Sequence, residues 1–198
     1  MRNNGGCGCG SFIGLVVLIF LGSMFFSSCG KSEDKKEENV ADWKNVKLED
    51  VNPADSKFKD ELQKLCGEDI TVDYVPETKF LSITYNVDSV VKFKWQLERF
   101  ARESGQMLAT FHKNKYIDKV DFALQVKVED ERGNRSDMIV AFATYGKENM
   151  NSINYNNWVD SLYNSNKAMN FFTAADRFDI KEIGLKELSQ EQRNILNR

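Results

Sequence analysis

The sequence predicts an α+β fold, a two-layer sandwich in which about four antiparallel strands carry one long helix, with short helices toward the C-terminus. Two observations lead to this prediction. Residues 120–128 alternate apolar and polar side chains, as a half-buried strand does. Residues 89–112 repeat apolar side chains every three or four positions, as an amphipathic helix does. An apolar content of 41% over 198 residues is enough for the core of such a domain.

Two segments of opposite character precede this domain. Residues 12–26 carry no charge, whereas 12 of the 20 residues from 31 to 50 are charged, with both signs mixed. As a helix the apolar run would measure about 22 Å, against a hydrocarbon core of about 30 Å. A cleaved signal peptide therefore explains it better than a membrane-spanning or a fully buried helix. Residues 29–51 are then interpreted as a charged linker, and residues 52–198 as a single α+β domain.

The apolar run ends in a sequence that resembles the lipobox of bacterial lipoproteins. Residues 26–29 read Phe-Ser-Ser-Cys, with Phe26 at the position where Leu is commonest. The resemblance implies that Cys29 receives a diacylglycerol group and that cleavage in front of it removes residues 1–28. Residues 31–34, Lys-Ser-Glu-Asp, look like the acidic stretch associated with surface export of lipoproteins in Bacteroidota.

This resemblance implies a lipid-anchored protein of the bacterial cell envelope, at the outer membrane and facing the cell surface. Its expected partners are membrane lipid, through the acylated Cys29, and an envelope protein or glycan. A net charge of −3 gives no general attraction to nucleic acid, so no nucleic-acid partner is expected. Cys7 and Cys9 lack the further ligands of a metal centre, and neither a metal nor a cofactor is expected.

The domain is predicted to begin with a short helix. Asn52 suits its N-cap, Pro53 its first helical position, and Gly67 its end. Three apolar side chains at helical spacing would face the core, namely Phe58, Leu62 and Leu65.

A hairpin and the long helix follow. The β-rich runs 70–75 and 80–86 flank the turn sequence 76–79, which predicts antiparallel pairing. Asp88 is the predicted cap of the long helix, and Gly105 within it is expected to permit close packing. The apolar face of this helix consists of Val90, Phe93, Leu97, Phe100, Ala101, Ser104, Leu108 and Phe111.

The second half of the domain completes the predicted sheet. Residues 129–135 form a charged turn after the alternating strand, and residues 138–145 return as a more evenly apolar, more enclosed strand. From Trp158 onward the sequence predicts two or three short helices. Ser189 and Gln192 have the spacing of a capping box for the last of them.

Two pairs of residues have side chains that could serve nucleophilic catalysis. Ser89 and Lys92 have the spacing of a serine–lysine nucleophile, but the chain has no Lys-Thr-Gly partner motif, so a helix start is preferred. Cys66 and His112 leave a catalytic pair open. The favoured interpretation makes Cys66 a small packed hydrophobe and His112 a structural residue on the surface, in the last turn of the long helix.

The aromatic and amide side chains near residue 155 are candidates for ligand contact. Rings stack on sugars and amides hydrogen-bond to them, which singles out Tyr155, Asn156 and Trp158. The alternative, which we favour, is local architecture, with Asn156 or Asn157 capping a helix whose Trp158 and Leu162 face the core.

No arrangement of residues in the sequence points to a particular reaction. The sequence therefore favours a lipid-anchored envelope protein whose domain binds or scaffolds a partner without catalysis. Two alternatives stay open: an envelope hydrolase whose site is assembled only in the folded chain, and an immunity or inhibitor lipoprotein.

Overall fold

The computed structural model describes residues 42–88, 92–129 and 131–197. These residues contain one mixed sheet of five strands in chain order, β1 (Asp69–Val75), β2 (Phe80–Val87), β3 (Lys119–Glu129), β4 (Arg135–Gly146) and β5 (Arg177–Ile180). They also contain the helices α1 (Ser56–Gln63), α2 (Phe93–Phe111), α3 (Lys147–Ser152), α4 (Tyr155–Leu162), α5 (Asn170–Thr173), α6 (Glu182–Leu185) and α7 (Gln190–Leu196). Short 3-10 helices lie at Trp43–Asn45 and Lys167–Met169.

The α+β class is confirmed, but the sheet is not all antiparallel. β2 and β3 run parallel, whereas the β1–β2, β3–β4 and β4–β5 pairs are antiparallel. The cause is the length of α2. Its 19 residues rise about 28 Å, close to the roughly 26 Å of the eight-residue β2. The chain therefore re-enters the sheet beside the start of β2 and runs alongside it.

The fifth strand lies in a region predicted to be only helical. β5 has four residues, which pair with residues 141–144 of β4. Four residues are too few to establish an alternating pattern from sequence alone, and helices surround the strand on both sides. The prediction of about four strands was wrong for this reason.

The apolar face of α2 packs on the sheet as predicted. The ring of Phe100 meets that of Tyr85 edge to face at 5.0 Å between centroids, and Phe111 stacks on Phe122 at 6.4 Å. Phe93 is half-buried, and Val90 lies outside the described residues. The other members of the predicted face are buried, namely Leu97, Phe100, Ala101, Ser104, Leu108 and Phe111.

Helix starts differ from the predicted ones. α1 begins at Ser56, because the Asp55 carboxylate accepts from the Lys57 amide, while Asn52 forms a separate turn with Ala54. α2 begins at Phe93, and the predicted start at residues 89–91 lies outside the described residues. Three other predictions are confirmed: the turn at 76–79 between β1 and β2, the buried Phe58, Leu62 and Leu65, and the capping box of Ser189 and Gln192.

The predicted signal peptide, Cys7, Cys9 and the anchor Cys29 all lie outside the described residues. Within the described part of the chain, no helix has the length and hydropathy needed to span a bilayer. The lipoprotein interpretation of the N-terminal residues stays a prediction.

Candidate functional site

The helices pack on one face of the sheet, and most side chains of the other face reach solvent. We call this second face the open face. Along β2 and β3, side chains alternate between the buried core and the open face, as the sequence pattern of residues 120–128 predicts. In β2–β5 the open face consists of Phe80, Ser82, Thr84, Asn86, Lys119, Asp121, Ala123, Gln125, Lys127, Asp137, Ile139, Phe142, Thr144, Arg177 and Asp179.

A bulge in β4 places two apolar side chains on the open face. Leu124 pairs with Ala141, but the next residue, Gln125, pairs with Ile139, so Val140 is the extra residue. Without the extra residue, Ile139 and Phe142 would point to opposite faces. Because of the bulge both lie on the open face, where Ile139 is 47% exposed and Phe142 is half-buried.

A cavity of about 630 Å³ lies on the open face and is lined by β2, β3, β4 and the start of β5. Both small and large side chains line it. Its lining includes Ser82, Thr84, Ala123, Thr144 and Gly146, together with Phe142 and Ile139. A cavity of this volume is typical of sites that hold a small molecule.

One row of side chains crosses this cavity. The strand register aligns Ser82, Asp121, Thr144 and Arg177 on neighbouring strands. The Oδ1 atom of Asp121 is buried, and no donor of the described protein reaches it. A buried acceptor without a donor costs about 1–3 kcal/mol, and a donor that reached Oδ1 would relieve this cost.

Cations and a second carboxylate complete the lining. The Nζ atom of Lys119 lies 5.3 Å from the ring centroid of Phe80, and the guanidinium of Arg177 lies 5.4 Å from that of Phe142. Asp176 serves the fold, since its Oδ2 accepts from the Gly146 amide at 2.5 Å and its Oδ1 from Asn149 at 3.1 Å. Asp121 is the carboxylate of the lining whose Oδ1 has no donor among the described residues.

The three residues predicted to contact a ligand lie elsewhere, on α4 in the helical layer. Tyr155 is buried, and its hydroxyl donates to the Met150 carbonyl at 2.8 Å. The half-buried ring of Trp158 contacts those of Tyr155 and Phe171 at 5.9 and 6.3 Å between centroids. The structure brings the two rings together inside the core and leaves Asn156 on the surface.

The predicted cap of this helix was wrong, although its predicted core face is confirmed. α4 begins at Tyr155, with Asn154 in the N-cap position, so Asn156 and Asn157 lie inside the first turn. Leu162 is buried as expected.

Cys66 and His112 are not brought together. Burial, reinforced by the nearby carboxylate of Glu103, raises the pKa of the Cys66 thiol, which keeps the thiol protonated and unreactive. His112 follows α2, with its ring 4.2 Å from that of Tyr155 and its Nδ1 3.0 Å from the Ala109 carbonyl. Glu103 lies on α2 nine residues before His112, which is about 13 Å along the helix axis. The geometry does not support a catalytic pair.

The described residues show neither a metal site nor a complete serine–lysine pair. No group of three or more His, Cys, Asp or Glu side chains there could hold a metal ion. Ser89, half of the serine–lysine motif, lies outside the described residues, and Lys92 is exposed. Comparison of the chain with protein-family models, curated proteins and solved structures finds no match.

Neither Asp121 nor Arg177 was among the site residues predicted from the sequence. The signal for Asp121 was present, because the alternation of residues 120–128 places it on the solvent side of its strand. No comparable signal existed for Arg177, which joins the row only through the unpredicted strand β5.

Proposed function

We propose that the protein is a lipid-anchored protein of the bacterial cell envelope whose domain binds a partner through the open face, without catalysis. The lipobox-like residues 26–29 support the anchor at Cys29. The cavity of about 630 Å³ on the open face is the observation that carries the binding role.

The two faces of the sheet differ in what they offer a partner. The helical face is filled by a core of interlocking rings such as Phe100, Phe122 and Phe171. A smaller cavity of about 190 Å³ lies on the open face beside Gln125, and one of about 250 Å³ is lined by β4 and β5 residues that include Phe142. The open face is therefore concave in places, as a surface that receives a ligand is expected to be.

The side chains in the cavity favour binding over hydrolysis. Hydrolysis by a carboxylate pair needs two groups that can exchange protons or attack. Of the two carboxylates that line the cavity, Asp176 is already held by Gly146 and Asn149. Asp121 alone provides an acceptor but no acid–base partner.

Hydroxyl-radical labelling of the full-length chain in detergent tests this proposal. Labelling is compared with and without a solubilised envelope extract of the native host. We expect the extract to reduce oxidation of Ile139 and Phe142 at least about threefold, because a bound partner excludes solvent from the open face. Trp95 and Tyr163, which are 61% and 59% exposed on helical elements, serve as internal controls.

Two results would contradict the proposal. Unchanged oxidation of Ile139 and Phe142 would show that no envelope component covers the open face. Protection of Trp95 and Tyr163 alone would place the binding surface on the helical layer.

A further inference from the structure

We propose that the cavity of the open face binds a neutral saccharide, whose hydroxyl groups donate to Asp121 and accept from Arg177 and Lys119. This inference rests on the proposed function, because it names the class of ligand for the same site. It depends on three features of the cavity: a carboxylate that lacks a donor, a balanced set of charges, and hydroxyl side chains beside apolar surface.

The first feature is the acceptor atom of Asp121 that is unpaired within the described residues. Its Oδ1 is buried in the central strand β3 and receives no hydrogen bond from the described protein. The register neighbours of Asp121 are Ser82 and Thr144. A ligand hydroxyl can donate to the carboxylate and accept a hydrogen bond from another group at the same time. Hydrogen bonds of this kind to an ionised carboxylate are among the stronger ones.

The second feature is the balance of charge. Two cations, Lys119 and Arg177, and two carboxylates, Asp121 and Asp176, line the cavity. Lys119 and Asp121 are two residues apart on one face of β3, which places their Cα atoms about 7 Å from each other. Lys119 would therefore weaken the binding of a ligand ammonium at Asp121, and the adjacent Asp176 would weaken that of a ligand anion at Arg177. A neutral ligand avoids both penalties.

The third feature is the mixture of hydroxyl and apolar groups. Ser82, Thr84 and Thr144 bring hydroxyl side chains to the lining, and Phe142 and Ile139 bring apolar surface. A sugar ring presents the matching combination, with hydroxyls at its edge and carbon-bound hydrogens on its faces. The guanidinium of Arg177 lies over the Phe142 ring, and this contact orients its donors beside the polar row.

Binding to a glycan array tests the ligand class. The full-length chain in detergent is applied to printed neutral, uronic-acid-containing and sulfated glycans. We expect binding to neutral glycans, weakened about tenfold or more in Asp121→Ala, because the charge-assisted hydrogen bond is lost. Asp73→Ala is the matched control. Asp73 is register-paired with Ser82 in the same row, but it is exposed and outside the cavity lining.

Three results would overturn the saccharide assignment: no binding to any glycan, binding confined to charged glycans, or equal binding by the wild type and Asp121→Ala. Thermal unfolding of Asp121→Ala checks that the domain is folded. We expect no loss of stability, since the substitution removes an acceptor that lacks a donor.

Treatment of the envelope extract separates failure of this inference from failure of the proposed function. Periodate destroys sugars with adjacent hydroxyls, and protease destroys proteins. If protection of Ile139 and Phe142 survives periodate but not protease, the open face binds a protein and the saccharide assignment falls. If periodate alone abolishes the protection, both proposals stand.

Discussion

A Cβ atom on Gly105 would lie 2.4 Å from Cδ1 of Leu162 and 3.3 Å from the Trp158 ring. The helices α2 and α4 thus approach each other so closely at Gly105 that a methyl group there would displace the Leu162 side chain. This contact supports the helical layer and confirms the predicted packing role of Gly105.

Gly105→Ala is expected to destabilise the domain despite the higher helix propensity of alanine. The propensity gain is at most about 1 kcal/mol, whereas inserting a methyl group into a packed core costs about 1–3 kcal/mol. We expect a lower midpoint in urea unfolding. Adding Leu162→Ala should remove the clash, so the double variant should lose less stability than the two single losses added together. Simple additivity would contradict the contact.

Phe100→Ala is expected to cost about 3–5 kcal/mol of unfolding free energy. Phe100 is fully buried, and its ring contacts Tyr85 at 5.0 Å and Phe171 at 5.7 Å between centroids. Lys92→Ala is the comparison, with an expected change of no more than about 0.5 kcal/mol, because Lys92 is exposed. Denaturant titration measures both. Equal losses would mean that the buried face of α2 is misassigned.

The stability of the domain is expected to fall in mild acid because of His112. Burial lowers the pKa of its imidazole below the ordinary 6.5. The unfolded chain therefore takes up this proton at a higher pH than the folded chain does. The contribution of His112 to the free energy of unfolding is fully present above about pH 6.5. It is lost as the pH falls through the pKa of the folded state.

Urea unfolding between pH 7.5 and 5 measures this loss, and His112→Gln is the comparison. The variant should show a shallower decline than the wild type. The same groups other than His112 titrate in both proteins, so the difference between the two slopes belongs to His112. Parallel slopes would rule out a lowered pKa.

Cys29→Ala is expected to abolish processing and lipidation in the native host. The variant should stay uncleaved, heavier by the 28 residues of the predicted signal peptide, and should take up no labelled fatty acid. Two or three acyl chains hold a protein stably at a membrane, whereas one does so only marginally. The variant should therefore lose the lipid anchor of the mature protein.

Cys66→Ala is the matched control, because Cys66 is buried in the domain and should not affect processing. A wild-type protein that begins at Met1 with an unmodified Cys29 would contradict the lipoprotein interpretation. Fatty-acid label that persists in Cys29→Ala would place the lipid on another residue.

Short sequence patterns predicted the helix face, the turn and the cap of the last helix correctly, but they did not predict the parallel pairing of β2 with β3. The face of α2, the 76–79 turn and the capping box at Ser189 each depend on a few neighbouring residues, so the sequence displays them. Parallel pairing of β2 with β3 depends on where a 19-residue helix returns the chain, which no short pattern encodes.

The candidate site was only partly predictable for the same reason. Alternation in β3 placed Asp121 on the solvent side of the sheet. The cavity, however, arises from the side-by-side alignment of Ser82, Asp121, Thr144 and Arg177, which come from four strands far apart in the chain. The aromatic and amide side chains near residue 155 looked more like a site in sequence, but Tyr155 and Trp158 pack into the core.

The most direct test of the central claim is hydroxyl-radical labelling of the protein on living cells of its native host. On the cell the partner is present at its natural concentration, so it should cover the open face. We predict that Ile139 and Phe142 are oxidised at least about threefold less on cells than in the purified chain, while Trp95 and Tyr163 change by the same small factor as each other. Equal oxidation of the open face in both settings would contradict a binding role for it.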